Sequence, residues 1–172
     1  MKRLLIVWHS MTGGAAQMAS AAASGARASA PVEAGAEEVP VAVQLQPARY
    51  TTAEDVLAAD GYLFVTPENL ASMSGVMKDF FDRIYYATLE SINGRPYALL
   101  VCAGTDGTGA VRQIQRIATG LRLKEVAPPM IVITGAQTPE AILAPKRIGA
   151  ADLAHCYDVG AAFAAALASG IF

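Results

Sequence analysis

Leu4-Leu5-Ile6-Val7-Trp8 runs directly into His9-Ser10-Met11-Thr12-Gly13-Gly14-Ala15-Ala16-Gln17, and an alanine-rich segment follows. The five apolar residues read as a short buried strand, and the segment from Ala15 to Ala28 as a helix of small residues. Between them lies a loop of hydroxyl residues and glycines. In an α/β domain such a loop holds a phosphate: glycines let amides approach the oxyanions, Ser and Thr add donors, and the helix start contributes a positive dipole end. The same residues would also serve a plain turn that caps a helix through Ser10 or Thr12.

The charge of this loop narrows the ligand. No Lys or Arg stands between Arg3 and Arg27, and the G-x-x-x-x-G-K-[ST] pattern of triphosphate-binding loops is absent. One small monophosphate held by neutral donors fits better, and FMN meets that description. Outward from this point, short apolar runs alternate with helical patterns. Val39 to Leu45, Gly61 to Val65, Tyr97 to Cys102 and Met130 to Thr134 read as further strands. Ala30 to Ala36 ends the first helix. Thr52 to Ala59, with Thr52 as cap, Ser74 or Gly75 to Tyr86, Ala110 to Gly120, and Ala150 to Ser169 read as helices. In the third of these helices Met77, Phe80, Phe81 and Ile84 share one face. Five strands in alternation with helices predict an α/β three-layer sandwich, a parallel sheet covered on both sides. The connection from Gly135 to Gly149 is long and rich in Pro and Ala.

Ligands of such sheets sit at the carboxyl ends of the strands. Besides Ser10 to Ala15, two loops there have unusual composition: Thr66-Pro67-Glu68-Asn69-Leu70-Ala71-Ser72-Met73-Ser74-Gly75 and Ala103-Gly104-Thr105-Asp106-Gly107-Thr108-Gly109. The loop after the second strand, Gln46-Pro47-Ala48-Arg49, has none of this character. Folds of similar topology with other chemistry are excluded by residue. Acidic residues for a receiver domain and a first-loop cysteine for a tyrosine phosphatase are both missing, and Ala71-Ser72-Met73-Ser74-Gly75 is not a G-x-S-x-G elbow.

These three blocks resemble those of flavodoxin-like FMN proteins, in the branch of NAD(P)H-dependent FMN reductases that includes the tryptophan-repressor-binding-protein type quinone reductases. His9 to Gly14 resembles the phosphate loop. Thr66 to Asn69 with Met73-Ser74-Gly75 and Lys78-Asp79-Phe80-Phe81-Asp82-Arg83 resembles the second flavin loop and its helix, and Ala103 to Gly107 the third loop. Ala15 stands where the flavodoxin pattern often has Thr or Ser. The resemblance implies strand order 2-1-3-4-5, bound FMN, NAD(P)H as electron donor, and a quinone or similar small acceptor. It implies that Ser10, Met11, Thr12, Gly13, Gly14 and Ala15 hold the phosphate. Pro67, Glu68, Asn69, Leu70, Ala71, Ser72 and Met73 would follow the N5/O4 side of the ring, and Ala103, Gly104, Thr105, Asp106 and Gly107 its pyrimidine and ribityl side.

Individual residues admit two readings. Asp106 either tunes the flavin or forms an Asx turn; Glu68 either bonds flavin N3 or a substrate, or is solvated. His9 is a proton donor or a packed, hydrogen-bonded ring. With no aromatic residue in the second and third loops, at least one ring face stays open to a hydride donor, the mark of a two-electron reductase, unless Tyr85, Tyr86 or an aromatic of a partner subunit covers it. A one-electron carrier and a flavin-binding regulatory module are the alternatives.

Composition bounds the rest. A length of 172 residues suits one domain, and a net charge of −2 without a basic cluster offers nothing to nucleic acid. No apolar run reaches the ~18 residues of a membrane span, and Lys2-Arg3 before Leu4 to Trp8 is too short for a signal peptide, so a cytoplasmic location is expected. Two histidines and two unpaired cysteines, Cys102 and Cys156, argue against a metal site. Val76, Tyr85 and Tyr86, outside the core stripe of their helix, point to a homodimer or homotetramer.

Overall fold

In the computed structural model, which describes residues 1–29 and 39–172, parallel strands form a sheet with helices on both faces. Strand β1 (Lys2–Trp8) is followed by helix α1 (Gly14–Ser29), β2 (Val41–Pro47), α2 (Ala53–Ala58) and β3 (Gly61–Asn69). Then come β4 (Ser72–Met73), α3 (Gly75–Thr88), β5 (Pro96–Ala103), α4 (Thr108–Gly120), β6 (Lys124–Glu125), β7 (Met130–Ile133), α5 (Pro139–Leu143) and α6 (Ala150–Ala168). The path runs β2-β1-β3-β5, and both β6 and β7 pair with β5. The expected fifth strand, Met130 to Thr134, is β7 (Met130–Ile133) beside β5, and the unexpected two-residue β6 pairs with the same edge of β5, so strand count and order differ slightly from the expected five in order 2-1-3-4-5 while the α/β class holds. No helix among the described residues is long and apolar enough to cross a membrane.

Alternation decides which helix each strand residue meets. Leu4, Ile6, Leu63, Val65, Ala98, Leu100 and Cys102 pack beneath α1 and α6, while Leu5, Val7, Tyr62, Phe64, Tyr97, Leu99 and Val101 pack beneath α2, α3 and α4. Central strands buried on both faces are why these segments read as continuous apolar runs. Thr52 caps α2 as expected, in a full capping box with Asp55, and Ser74, a possible first helical residue, is instead the cap of α3.

Five expectations need correction. β2 begins at Val41, two residues later than the apolar alternation suggested, because Val39 bonds Ala168 O outside the ladder. Thr66 to Gly75 is no loop: β3 continues to Asn69 and turns through Leu70 and Ala71 into β4, a β-hairpin beyond the sheet edge. α4 starts two residues before Ala110, and the Gly135–Gly149 connection contains α5, opened by Thr138 as cap and Pro139 at its first turn. Finally, Val76 packs partly buried against the core instead of adding free surface. The expected end of α1 at Ala30 to Ala36 lies outside the described residues.

Candidate functional site

A cleft of about 520 Å³ opens at the carboxyl ends of β1, β3 and β5, within the ~300–1,000 Å³ typical of small-molecule sites. Ser10, Met11, Thr12, Gly14, Ala15, Pro67, Glu68, Asn69, Leu70, Ala71, Ala103, Gly104 and Thr105 line it, so all three expected segments meet there. Gly13, Ser72, Met73, Asp106 and Gly107 are not among its lining residues. Their positions have local causes. Gly13 adopts φ +94° and its N–H donates to Ser10 Oγ at 3.0 Å, which shapes the loop from within. Ser72 Oγ donates to Gln113 Oε1 on α4, and Met73 is buried in the core. Gly107 caps α4 at φ +87°, where a Cβ would stand 2.5 Å from Ile131 Cγ2.

The first loop keeps its donors available. Among the described residues, the amides of Met11, Thr12, Gly14 and Ala15 have no hydrogen-bond partner. Gly14 and Ala15 are buried residues at the start of α1, and buried amides are nearly always paired. An anion seated at this helix start would supply the acceptors, so the residues fit a phosphate. The amides of Leu70, Ala71, Gly104 and Thr105 are likewise unpartnered among the described residues, and they border the remainder of the cleft. A flavin ring system requires fixed donors of this kind.

Glu68, half-buried in the cleft wall, accepts from the backbone of another element. Its Oε1 accepts from Gly107 N at 2.9 Å and its Oε2 from Ala110 N at 3.1 Å, so it caps α4, whose own cap residue is a glycine without a side chain. A carboxylate at a helix N-terminus is stabilised by the orphan N–H groups and the dipole. Asp106 forms the Asx turn, accepting from Thr108 Oγ1 and Thr108 N. His9 Nδ1 lies 2.8 Å from Ser74 Oγ, the cap of α3, whose backbone N–H donates to Thr66 Oγ1. Burial, then the nearby Arg49 charge, pushes the His9 pKa down, which favours the neutral ring in this packed position.

The fourth wall was not anticipated. Cys102, Thr134, Ala136, Ile142, Leu143 and Lys146 also line the cleft, five of them from the β7–α6 connection. Thr134 N donates to Ala103 O at 2.8 Å and Gly135 N to Gly104 O at 2.9 Å, which ties this connection to the third loop. A Cβ on Gly104 would lie 2.8 Å from Ala136 O, so the close approach requires glycine there. Cys102 forms part of the floor; burial raises its thiol pKa and only the Lys146 charge opposes this, so it behaves as an inert packing residue. No group of three or more metal-ligating side chains occurs among the described residues.

The family model described as NADPH-dependent FMN reductase matches residues 9–138. An NAD(P)H dehydrogenase (quinone) of Acidithiobacillus ferrooxidans is 32% identical over 94 residues, covering 48% of this chain and 47% of that protein. An NAD(P)H-dependent FMN reductase of Pseudomonas aeruginosa is 33% identical over 86 residues, with 49% and 46% covered. The chain therefore spans about half the length of these curated relatives. In three dimensions it is similar to a flavodoxin from the domain Archaea, with TM-score 0.68 at 16% identity over 94% of this chain and 96% of the other. That likeness concerns the fold.

Proposed function

Because the chain belongs to the NADPH-dependent FMN reductase family, we propose that it is a two-electron reductase in which FMN accepts hydride from NAD(P)H and passes the electrons to a quinone or a similar flat acceptor. The observation that carries this reading is the composition of the cleft: among the described residues, none of its lining side chains is aromatic. A carrier that exchanges single electrons shields its ring between aromatic side chains. Here a nicotinamide would meet only small and aliphatic groups.

Bound in this cleft, FMN supplies the redox chemistry, and the protein contributes position and hydrogen bonds. Ser10, Thr12 and the free amides of the first loop would anchor the phosphate, while the amides at Leu70, Ala71, Gly104 and Thr105 would orient the ring. Met11, Leu70, Ile142 and Leu143 are exposed apolar residues at the same cleft, and they favour a neutral, apolar acceptor over a charged one. Glu68, the only acidic residue in the lining, caps α4, and no side-chain acid or base is assigned to the hydride step.

The decisive experiment is anaerobic mixing of FMN-loaded protein with each reduced pyridine nucleotide. Flavin absorbance should bleach with NADH or NADPH at or below about millimolar concentration, and a quinone should restore it. If neither nucleotide bleaches the flavin while a one-electron donor does, the carrier reading replaces this one. Exposed Tyr85 and Tyr86 on α3, their rings 5.0 Å apart, extend the proposal to a homodimer or homotetramer. Light scattering should then give a multiple of the monomer mass at micromolar concentration; a monomer mass removes that part.

A further inference from the structure

We propose that Lys146 supplies the cation for the cofactor phosphate, a charge the phosphate loop itself lacks. The proposal rests on the FMN reading above. Lys146 is the only basic residue among those lining the cleft, and the chain returns it to the first loop from 131 positions beyond Ala15 through specific contacts. Lys146 N donates to Thr12 O at 2.7 Å. Gln17 Nε2 donates both to Lys146 O at 2.7 Å and to Gly13 O at 2.9 Å, and Gln17 Oε1 accepts from Ile148 N at 3.1 Å. One α1 side chain thus clamps the segment 146–148 onto the loop whose amides are free.

The stem of Lys146 starts at the loop. Its Cβ lies 3.4 Å from the point where a Cβ on Gly14 would stand. Its Nζ donates to Ile142 O at 2.8 Å and Ala144 O at 2.6 Å, near the carboxyl end of α5. An ammonium has three donors, so one remains for an anion. No carboxylate forms an ion pair with it among the described residues; the three ion pairs found there are Lys2–Asp60, Lys78–Asp82 and Arg83–Asp79. The charge is also felt at Cys102, on the floor beside Gly14. With its backbone and Cβ fixed at the first loop and its side chain lining the same cleft, Lys146 brings a cation into the site that the free amides border, which would make it a charge-assisted site for a dianion.

Binding of FMN and riboflavin to the full chain separates phosphate recognition from ring recognition. The parent should bind FMN more tightly than riboflavin. Lys146→Gln and Lys146→Met should weaken FMN about tenfold, leave riboflavin unchanged, and flatten the salt dependence of FMN binding. Lys146→Arg should keep FMN affinity within about threefold of the parent, which also controls for folding. Unchanged FMN affinity in Lys146→Gln overturns the proposal, and so does an equal loss for FMN and riboflavin, which would make Lys146 a wall residue only. If the parent binds the two flavins equally, the failure lies in the phosphate-loop reading itself.

Discussion

Gly160→Val is expected to destabilise the fold by about 3 kcal/mol, at the upper end of ordinary overpacking and a large share of a typical 5–15 kcal/mol total. Helices α1 and α6 lie on the same face of the sheet and touch backbone to backbone. A Cβ on Gly160 would stand 1.9 Å from Ala22 O and 2.9 Å from Ala22 Cα; one on Gly25 would stand 2.0 Å from Tyr157 O. Each helix therefore offers a glycine notch to the other, with Ala19, Ala22, Ala23 and Ala26 facing Ala164 and Ala168 in the same buried cluster. A carbonyl cannot rotate away as a side-chain tip can, so a branched residue must part the helices. The packing over Leu4, Ile6 and Cys102 loosens with them. Urea or thermal unfolding should register this as a loss of roughly 6–12 °C in Tm. Gly120→Ala is the matched control, since a Cβ there meets nothing within 4 Å and helix propensity favours Ala. Equal melting of the two variants would disprove the helix contact.

The same contact explains what the sequence disclosed and what it hid. Short apolar runs and the capping residue Thr52 are local signals, and each marked its element within a few residues. The hairpin was hidden because Leu70 and Ala71 take φ values of +52° and +59° without the Gly or Asn that normally announces such a turn. The role of Glu68 was hidden because its partners are 39 and 42 residues away, and no local pattern links a hairpin carboxylate to a distant helix start. The α5 wall was legible in principle. Thr138 followed by Pro139 and Glu140 is a helix opening, yet the Pro- and Ala-rich composition around it read as connection. What no spacing rule could reveal is that this segment folds back onto residues 12–17 through Gln17. The three strand-end segments line one cleft, and long-range hydrogen bonds bring in its fourth side.

Gly109→Ala is the second large effect, and it falls on the ring side of the cleft. Gly109 sits in the first turn of α4, where a Cβ would lie 2.1 Å from Ala71 O, 2.8 Å from Ala71 C and 3.2 Å from Ala71 Cα. Everything it would strike is backbone of the hairpin turn, and that turn has little freedom. Its residues already occupy left-handed conformations, which cost non-glycine residues about 1–2 kcal/mol each. Met73 is buried at its base, Glu68 holds it to α4 at Gly107 and Ala110, and Ser72 holds it to Gln113. The hairpin can therefore yield only by lifting from α4, which strips Glu68 from the helix start and carries Leu70 and Ala71 away from the cleft they line. Alanine gains about 1 kcal/mol over glycine in helix propensity, so global stability should fall little while flavin affinity falls roughly thirty- to hundredfold, equivalent to about 2–3 kcal/mol. Because the displaced residues border the ring and not the phosphate loop, FMN and riboflavin should lose affinity by the same factor, opposite to the pattern expected of Lys146→Gln. Titration of both flavins checks this directly. Parent-like FMN affinity in Gly109→Ala would mean that the hairpin does not touch the cofactor, and a loss confined to FMN would mean that its effect travels through the phosphate loop.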